Sequence, residues 1–282
     1  MNSCNEVNFN KLTNRLKFNE SPCIMGVLNV TPDSFSDGGN FFSEEKAINH
    51  GIALIADGAD IIDIGGESTR PFSEPVPTKE EISRVIPVIK AIKERANCLV
   101  SIDTYKSEVA VNAIDAGADI INDISGFTFD PELPDIVASY GVPVVIMHIK
   151  GSPKDMQVAP VYEDLWEELL SFFYERINFS LKKGIKNDKI ILDPGIGFGK
   201  RPEDNINIIR GLKKLKSLGF PVLIGNSRKS FLGRISGIES PKERDLISAV
   251  ADIISVLNGA DIIRVHNVKI TRDAFNIYKA LK

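Results

Sequence analysis

The chain has 282 residues, 43% hydrophobic and 26% charged, with a formal net charge of −4. These values suit one large soluble domain, and the absence of a basic block disfavours nucleic acid as a partner. No stretch approaches the roughly 20 apolar residues of a membrane span, and MNSCNEVNFNKL lacks a signal-peptide core, so a cytoplasmic, non-membrane protein is expected. The cysteines Cys4, Cys23 and Cys98 form no CxxC pair, which argues against a disulfide framework or a zinc site.

In chain order, a polar extension (1–20) precedes eight short apolar runs at 23–29, 59–66, 98–103, 118–125, 143–148, 189–194, 221–226 and 260–266. Helical patterns follow them at 43–57, 79–95, 106–116, 132–140, 161–183, 203–218, 242–258 and 271–281, with cap signals at Ser43 and Thr78. Runs this apolar predict strands buried on both faces, as in a parallel sheet covered by helices. Eight such units predict a single-domain α/β fold, a (β/α)8 TIM barrel over 21–282, with its active site at the C-terminal strand ends. Asn29, Asp103, Asn122, His148, Asp193, Asn226, Arg264 and His266 fall at those ends. The connections 30–42 and 66–78 are long and rich in Gly, Pro, Ser and Asp, as lids and clamps are.

An internal repeat adds orientation. Gly-Ala-Asp-Ile-Ile occurs at 58–62, 117–121 and 259–263, and aligning the copies superimposes Asp63, Asn122 and Arg264 on strands 2, 4 and 8. Alternate strands of such a barrel share interior layers, so the three should face the axis together. Strand alternation then turns His266 inward with Arg264, turns Val265 toward the helices, and leaves Asp123 to cap or anchor a loop. An Asp63–Arg264 ion pair across the barrel is one reading of the pair. Asp103 and Asp193 each end an apolar strand, where burial alone does not place a carboxylate. A helix cap at Asp103 and an Asp-Pro-Gly turn at Asp193 are the plainer alternatives.

The segments MGVLNVTPDSFSDGG (25–39), IDIGGESTRPF (62–72), SIDT (101–104), INDISG (121–126), MHIKG (147–151), DPGIGFGK (193–200), GNSRKSFLG (225–233) and RVHNV (264–268) occur in order, one per strand end. Together they resemble the dihydropteroate synthase family over roughly 22–270. The resemblance implies condensation of 6-hydroxymethyl-7,8-dihydropterin diphosphate with p-aminobenzoate, releasing diphosphate by an SN1-like path. Asp103, Lys229, Arg264 and His266 are the implied catalytic residues. Asp103, Asn122 and Asp193 would read the pterin edge, with Met147, Gly225, Lys229, Arg264 and Val265 completing the pocket. Thr69, Arg70, Arg264 and His266 would meet the diphosphate. Phe35, Pro71, Phe198 and Ser230 match the p-aminobenzoate positions, and Asn29 matches the one protein ligand of Mg2+.

The same resemblance implies a homodimer through late helices and membership of a sulfonamide-target class. His148 reads as structural, since strand parity allows only one of Met147 and His148 inside, and Arg228 reads as a brace beside Lys229. Two positions depart from the family: Phe72 stands where Gly is common, and Asn267 where Asp is. A pterin-binding methyltransferase barrel and a non-catalytic pterin-binding paralogue are the alternative functions. The Ser-Arg-Lys-Ser and Thr-Pro-Asp-Ser-Phe-Ser loops weigh against the first, and Asn29, Arg70, Lys229 and His266 against the second.

Overall fold

Eight parallel strands wind into a barrel in the computed structural model, which describes residues 22–31 and 40–281. The strands are β1 (Cys23–Asn29), β2 (Ile61–Gly65), β3 (Leu99–Asp103), β4 (Ile120–Asp123), β5 (Val144–Met147), β6 (Ile190–Asp193), β7 (Leu223–Ile224) and β8 (Ile262–Val265). Their order is β6-β5-β4-β3-β2-β1-β8-β7, and a Leu192–Val222 bridge closes β6 onto β7. Nine helices occur among the described residues: α1 (Asn40–Ala56), α2 (Thr78–Arg95), α3 (Ser107–Asp115), α4 (Leu133–Tyr140), α5 (Leu165–Lys182), α6 (Pro202–Lys216), α7 (Ser230–Ser236), α8 (Asp245–Leu257) and α9 (Val268–Leu281). None is long and apolar enough to cross a membrane. The predicted extension lies outside the described residues.

Side-chain alternation divides the core in two. Cys23, Met25, Ile61, Ile120, Val145, Ile191, Leu223 and Ile262 fill the barrel interior, with Leu99 packed against them. The intervening residues, such as Ile24, Ile62, Val100, Ile121, Val144 and Ile263, join the larger cluster between sheet and helices. Two residues beyond the interior set, the same parity brings Asp63, Ser101, Asn122, Met147, Asp193, Gly225 and Arg264 toward the axis. The apolar floor therefore ends where the polar residues begin.

The repeat has a structural task at the strand entries. Asp60, Asp119 and Asp261 each use Oδ2 to accept a backbone N–H from the neighbouring strand: Ile24 at 2.9 Å, Val100 at 2.8 Å and Val222 at 2.8 Å. Each also pairs with a cation, respectively Arg272, Lys93 and Lys216. The preceding Gly58, Gly117 and Gly259 have φ of +100°, +110° and +113°, which a side chain would strain.

Three local expectations are corrected. Ser43 lies inside α1 and Thr78 is the first helical residue of α2, whose cap position, Pro77, makes no side-chain cap bond. The helix expected from 161 starts at Leu165, because Asp164 accepts the N–H groups of Trp166 (2.9 Å) and Glu167 (3.0 Å). The seven-residue α7 is additional, too short for a periodic signal, with Phe231 and Leu232 buried.

Candidate active site

The three repeat residues meet on one oxygen. Asp63 Oδ2 accepts hydrogen bonds from Arg264 Nε at 2.6 Å and Asn122 Nδ2 at 3.1 Å, with Asp63 fully buried. Arg264 Nη2 also donates to Asp103 Oδ2 at 2.7 Å, so one guanidinium joins two carboxylates. The planar fork meets each carboxylate with a different nitrogen, Nε toward Asp63 and Nη2 toward Asp103. The ion pair expected from alignment of the repeat therefore exists alongside the inward placement of all three residues. Asp103 does not cap a helix: α3 starts at Ser107, whose N–H goes to Asp130.

Asp103 Oδ1 and Asp63 Oδ1 are buried and have no hydrogen-bond partner. Burial pushes the Asp103 carboxyl well above the usual range, and the Arg264 charge pulls it back. Asp193 accepts Gly195 N–H at 2.7 Å, so its turn role is real, and burial lifts its carboxyl to about 6. Asn122 and Met147 are buried at the adjacent strand ends. Gly225 adds no side chain beside Arg264, where a Cβ would stand 3.8 Å from the arginine Cβ.

Further cations gather close to the Asp103 and Asp193 carboxylates. Lys229 precedes α7 and sets its Nζ 4.3 Å from the Phe198 ring centroid. Burial, and then the Arg264 charge, lower the Lys229 ammonium to about 8. Ser227 Oγ accepts the His266 backbone N–H at 3.1 Å and lies 3.0 Å from its Nδ1. Burial and the charges of Arg228, Arg264, Lys229 and Arg70 drop His266 to about 3, leaving a neutral imidazole at neutral pH. Such a set of cations favours an anion in the space they face. Thr69 is half-buried, Arg70, Pro71 and Ser230 are exposed, and Phe198 is half-buried. Gly199 must be glycine there, because a Cβ would come 2.3 Å from the Lys150 carbonyl oxygen.

Several residues fall elsewhere. Val265 packs its side chain into the outer core, leaving only its backbone for a ligand, because alternation from Arg264 points it at the helices. Phe35 lies outside the described residues. His148 is structural: Lys200 Nζ lies 3.0 Å from its Nδ1, and Phe172 packs edge-on at 4.8 Å. Asp123 anchors its loop through the N–H groups of Ser125 and Phe127. Arg228 braces the loop by a two-point pair with Asp245, and Asn267 Nδ2 donates to the same carboxylate at 2.9 Å. Asn29, half-buried, shares the interior parity of Cys23 and Met25 and is in register with Gly65. Among the described residues, no group of three or more His, Cys, Asp or Glu could hold a metal.

The sequence reading passed over Asp63 as a site residue, although the repeat signalled it, and passed over Ser227. It also missed the brace beneath the second loop, where Lys106 Nζ donates to Glu67, Glu81 and the Val76 carbonyl, each at 2.6 Å. Loop 66–77 thus has a fixed stem. On its tip, Phe72 is 68% exposed with φ +67°, and its N–H donates to Pro153 O at 2.9 Å. A non-glycine residue held there costs about 1–2 kcal/mol. Phe72→Gly is therefore expected to raise stability by a few tenths to about 1 kcal/mol, read from urea midpoints, since glycine's greater unfolded-state freedom offsets part of the relief.

The model of a family described as pterin binding enzyme matches residues 25–266. A dihydropteroate synthase of Synechocystis is 46% identical, over 92% of this chain and 89% of that protein. The Xanthomonas albilineans dihydropteroate synthase solved with 4-aminobenzoic acid superposes with a TM-score of 0.88, at 44% identity over 93% of each chain. A structure from the same organism in complex with 7,8-dihydropteroate gives 0.85, at 41% identity over 93% of this chain and 94% of that one.

Proposed function

Because the chain belongs to the pterin-binding enzymes and, within them, to the dihydropteroate synthases, we infer that its barrel joins 6-hydroxymethyl-7,8-dihydropterin diphosphate to p-aminobenzoate and releases diphosphate. The observation that carries this reading is the adjacency of unpartnered buried acceptors on Asp63 and Asp103 to the cations Arg264 and Lys229. A pterin edge has N–H donors and a ring carbonyl, and an unpaired buried polar group costs about 1–3 kcal/mol on either partner. Asp103 and Asp193 take the donors, while Asn122 and Lys229 supply hydrogens. Met147 and Gly225 bound the ring space, and the flat guanidinium of Arg264 lies along it.

The reaction breaks the bond between the pterin methylene carbon and the diphosphate oxygen, whose electron pair leaves with diphosphate. The carboxylates of Asp103 and Asp193 stabilise the resulting carbocation, and Arg264, Lys229, His266, Thr69 and Arg70 receive the departing charge. The p-aminobenzoate nitrogen, neutral at pH 7, then bonds to the carbon and gives up a proton to solvent. Phe35, Pro71, Phe198 and Ser230 are the positions for its ring and carboxylate, and loop 66–77 excludes competing water.

Mg2+ fits the donor set at the mouth: Asn29 offers one neutral oxygen, enough for a hard ion that takes its other ligands from phosphate and water. When bound, it supplies positive charge to the leaving group. A homodimer is the assembly this surface favours. Leu246, Val250, Ile254 and Leu257 of α8 are 45–68% exposed on one helical face, with Ile235, Ile277 and Leu281 also exposed nearby in the chain. A continuous apolar stripe of that kind suits a second copy of the same surface.

The reading is tested by p-aminobenzoate-dependent diphosphate release, with and without Mg2+. Release that needs both p-aminobenzoate and Mg2+ supports it, and binding of the pterin diphosphate without release would favour a non-catalytic paralogue. The rate carries a pH signature. With its ammonium lowered to about 8, Lys229 loses its charge above that pH, so kcat/KM is expected to fall there. Lys229→Arg, charged throughout, should move that fall to higher pH even if its overall rate is lower.

A further inference from the structure

Helix α8 carries a polar line on its inner side. Its exposed apolar residues Leu246, Val250, Ile254 and Leu257 face outward, whereas Ser248, Asp252 and Ser255 are buried beside Ala249 and Ala251 and continue the line begun by Asp245. This polar line holds the turn 226–229. Asp245 takes Arg228, Ser248 Oγ accepts Arg228 N–H at 3.0 Å, and Asn226 Nδ2 donates to Asp252 Oδ1 at 3.1 Å and to Ser255 Oγ at 2.9 Å. The same turn carries Ser227, which touches His266, and closes with Lys229 N–H on Asn226 O at 3.2 Å.

The cluster holds fewer hydrogens than acceptors. Asn226 spends both amide hydrogens on Asp252 and Ser255, and the Ser255 hydroxyl gives its own to Ala251 O at 2.8 Å. Asn226 Oδ1 and Asp252 Oδ2 remain, two buried acceptors on adjoining groups with no donor for either. One proton on Asp252 would satisfy both, since an acid and an amide pair through two parallel hydrogen bonds.

We propose that Asp252 is a neutral carboxylic acid whose Oδ2–H closes a two-bond ring with the Asn226 amide, and that this ring positions the turn bearing Ser227 and Lys229. Its role in turnover rests on the function assigned above; its protonation does not. The surroundings agree. Asp252 is fully buried, burial pushes its carboxyl up to about 8, and the only opposing influence is the Asn226 hydrogen bond. The charged groups on the elements around it are engaged elsewhere: Arg228 with Asp245, Arg244 with the Arg228 carbonyl, Lys216 with Asp261, Lys269 with Asp273 and Arg272 with Asp60. Lys229 lies over Phe198, and His266 is on Ser227.

The test uses the full chain as wild type, Asp252→Asn and Asp252→Ala. Near pH 7 the infrared difference between wild type and Asp252→Asn should contain a protonated-carboxyl C=O band. Stability gives a second reading. The folded pKa of Asp252 lies above the unfolded value of about 3.9, so its contribution is full below that value and is lost as pH rises toward about 8. Wild type should therefore lose stability relative to Asp252→Asn across that window. Asp252→Ala should lower kcat/KM about tenfold, and Asp252→Asn, which can rebuild both bonds of the ring, should restore it.

A difference spectrum without the band, or parallel stability profiles, overturns the protonated acid. The band with full activity in Asp252→Ala overturns positioning. If Asp252→Ala does not fold, Asp252→Leu replaces it, and the Asp252→Asn comparison still decides protonation. If wild type itself shows no turnover, the functional assignment fails while the spectrum and stability profile still judge the acid.

Discussion

Asp103→Ala is expected to lose p-aminobenzoate-dependent diphosphate release by about 10³-fold or more, the scale set by removing a group aimed at developing charge. The fold should survive. Arg264 keeps its 2.6 Å bond to Asp63, so no buried cation is stranded, and a desolvated carboxylate is removed. A urea midpoint near that of wild type, together with lost turnover, is the expected pair of measurements. Near-normal turnover would remove Asp103 from the site. Asp103→Asn is the sharper variant: the amide oxygen can still accept from Arg264, but the formal charge is gone. If electrostatic stabilisation is the role of Asp103, this variant should be nearly as inactive as the alanine.

Arg264→Met should show the opposite balance, with stability falling as well as activity. Its guanidinium is the cation between two carboxylates, one fully buried and the other nearly so. Breaking a buried pair from one side typically costs about 3–5 kcal/mol because the remaining charge is stranded. The pH dependence identifies that cause. Without the Arg264 charge that pulls it back, the Asp103 carboxyl rises further above its unfolded value of about 3.9, so stability is retained at low pH and lost as pH rises. The deficit relative to wild type should be smaller near about pH 5 than near about pH 8 in urea titrations. Adding Asp63→Asn to Arg264→Met should recover part of it. A deficit independent of pH would point to lost packing instead.

What the sequence made legible follows from burial. Eight strands covered on both faces leave continuous apolar runs, and the period of two then assigns every strand-end residue to the axis or to the helices. That logic placed Asp63, Asn122, Arg264 and His266 inside and turned Asp123 and Val265 away. The same alternation conflicts with a side-chain role for Val265 in the pocket, which only the resemblance suggested. What was not legible lacks a period or depends on distant partners. Helix α7 is two turns long, the stem of loop 66–77 depends on Lys106 from beyond the next strand, and Asp252 sits alone in a largely apolar stretch, its partner Asn226 distant in sequence. An outward apolar face and an inward polar one have the same period as the reverse, so the pattern alone does not say which side is in.

The clamps at the strand entries bear on how such a protein can change over generations. Asp60, Asp119 and Asp261 with their cations sit at one end of strands whose other end carries the chemistry, about 3.3 Å of rise per residue away. Selection can therefore adjust heat tolerance at one pole and substrate discrimination at the other with little interference. A lineage that gains a costly mutation at the mouth has a separate place to recover the lost stability, and second-site suppressors from such a population should accumulate around Arg272, Lys93 and Lys216.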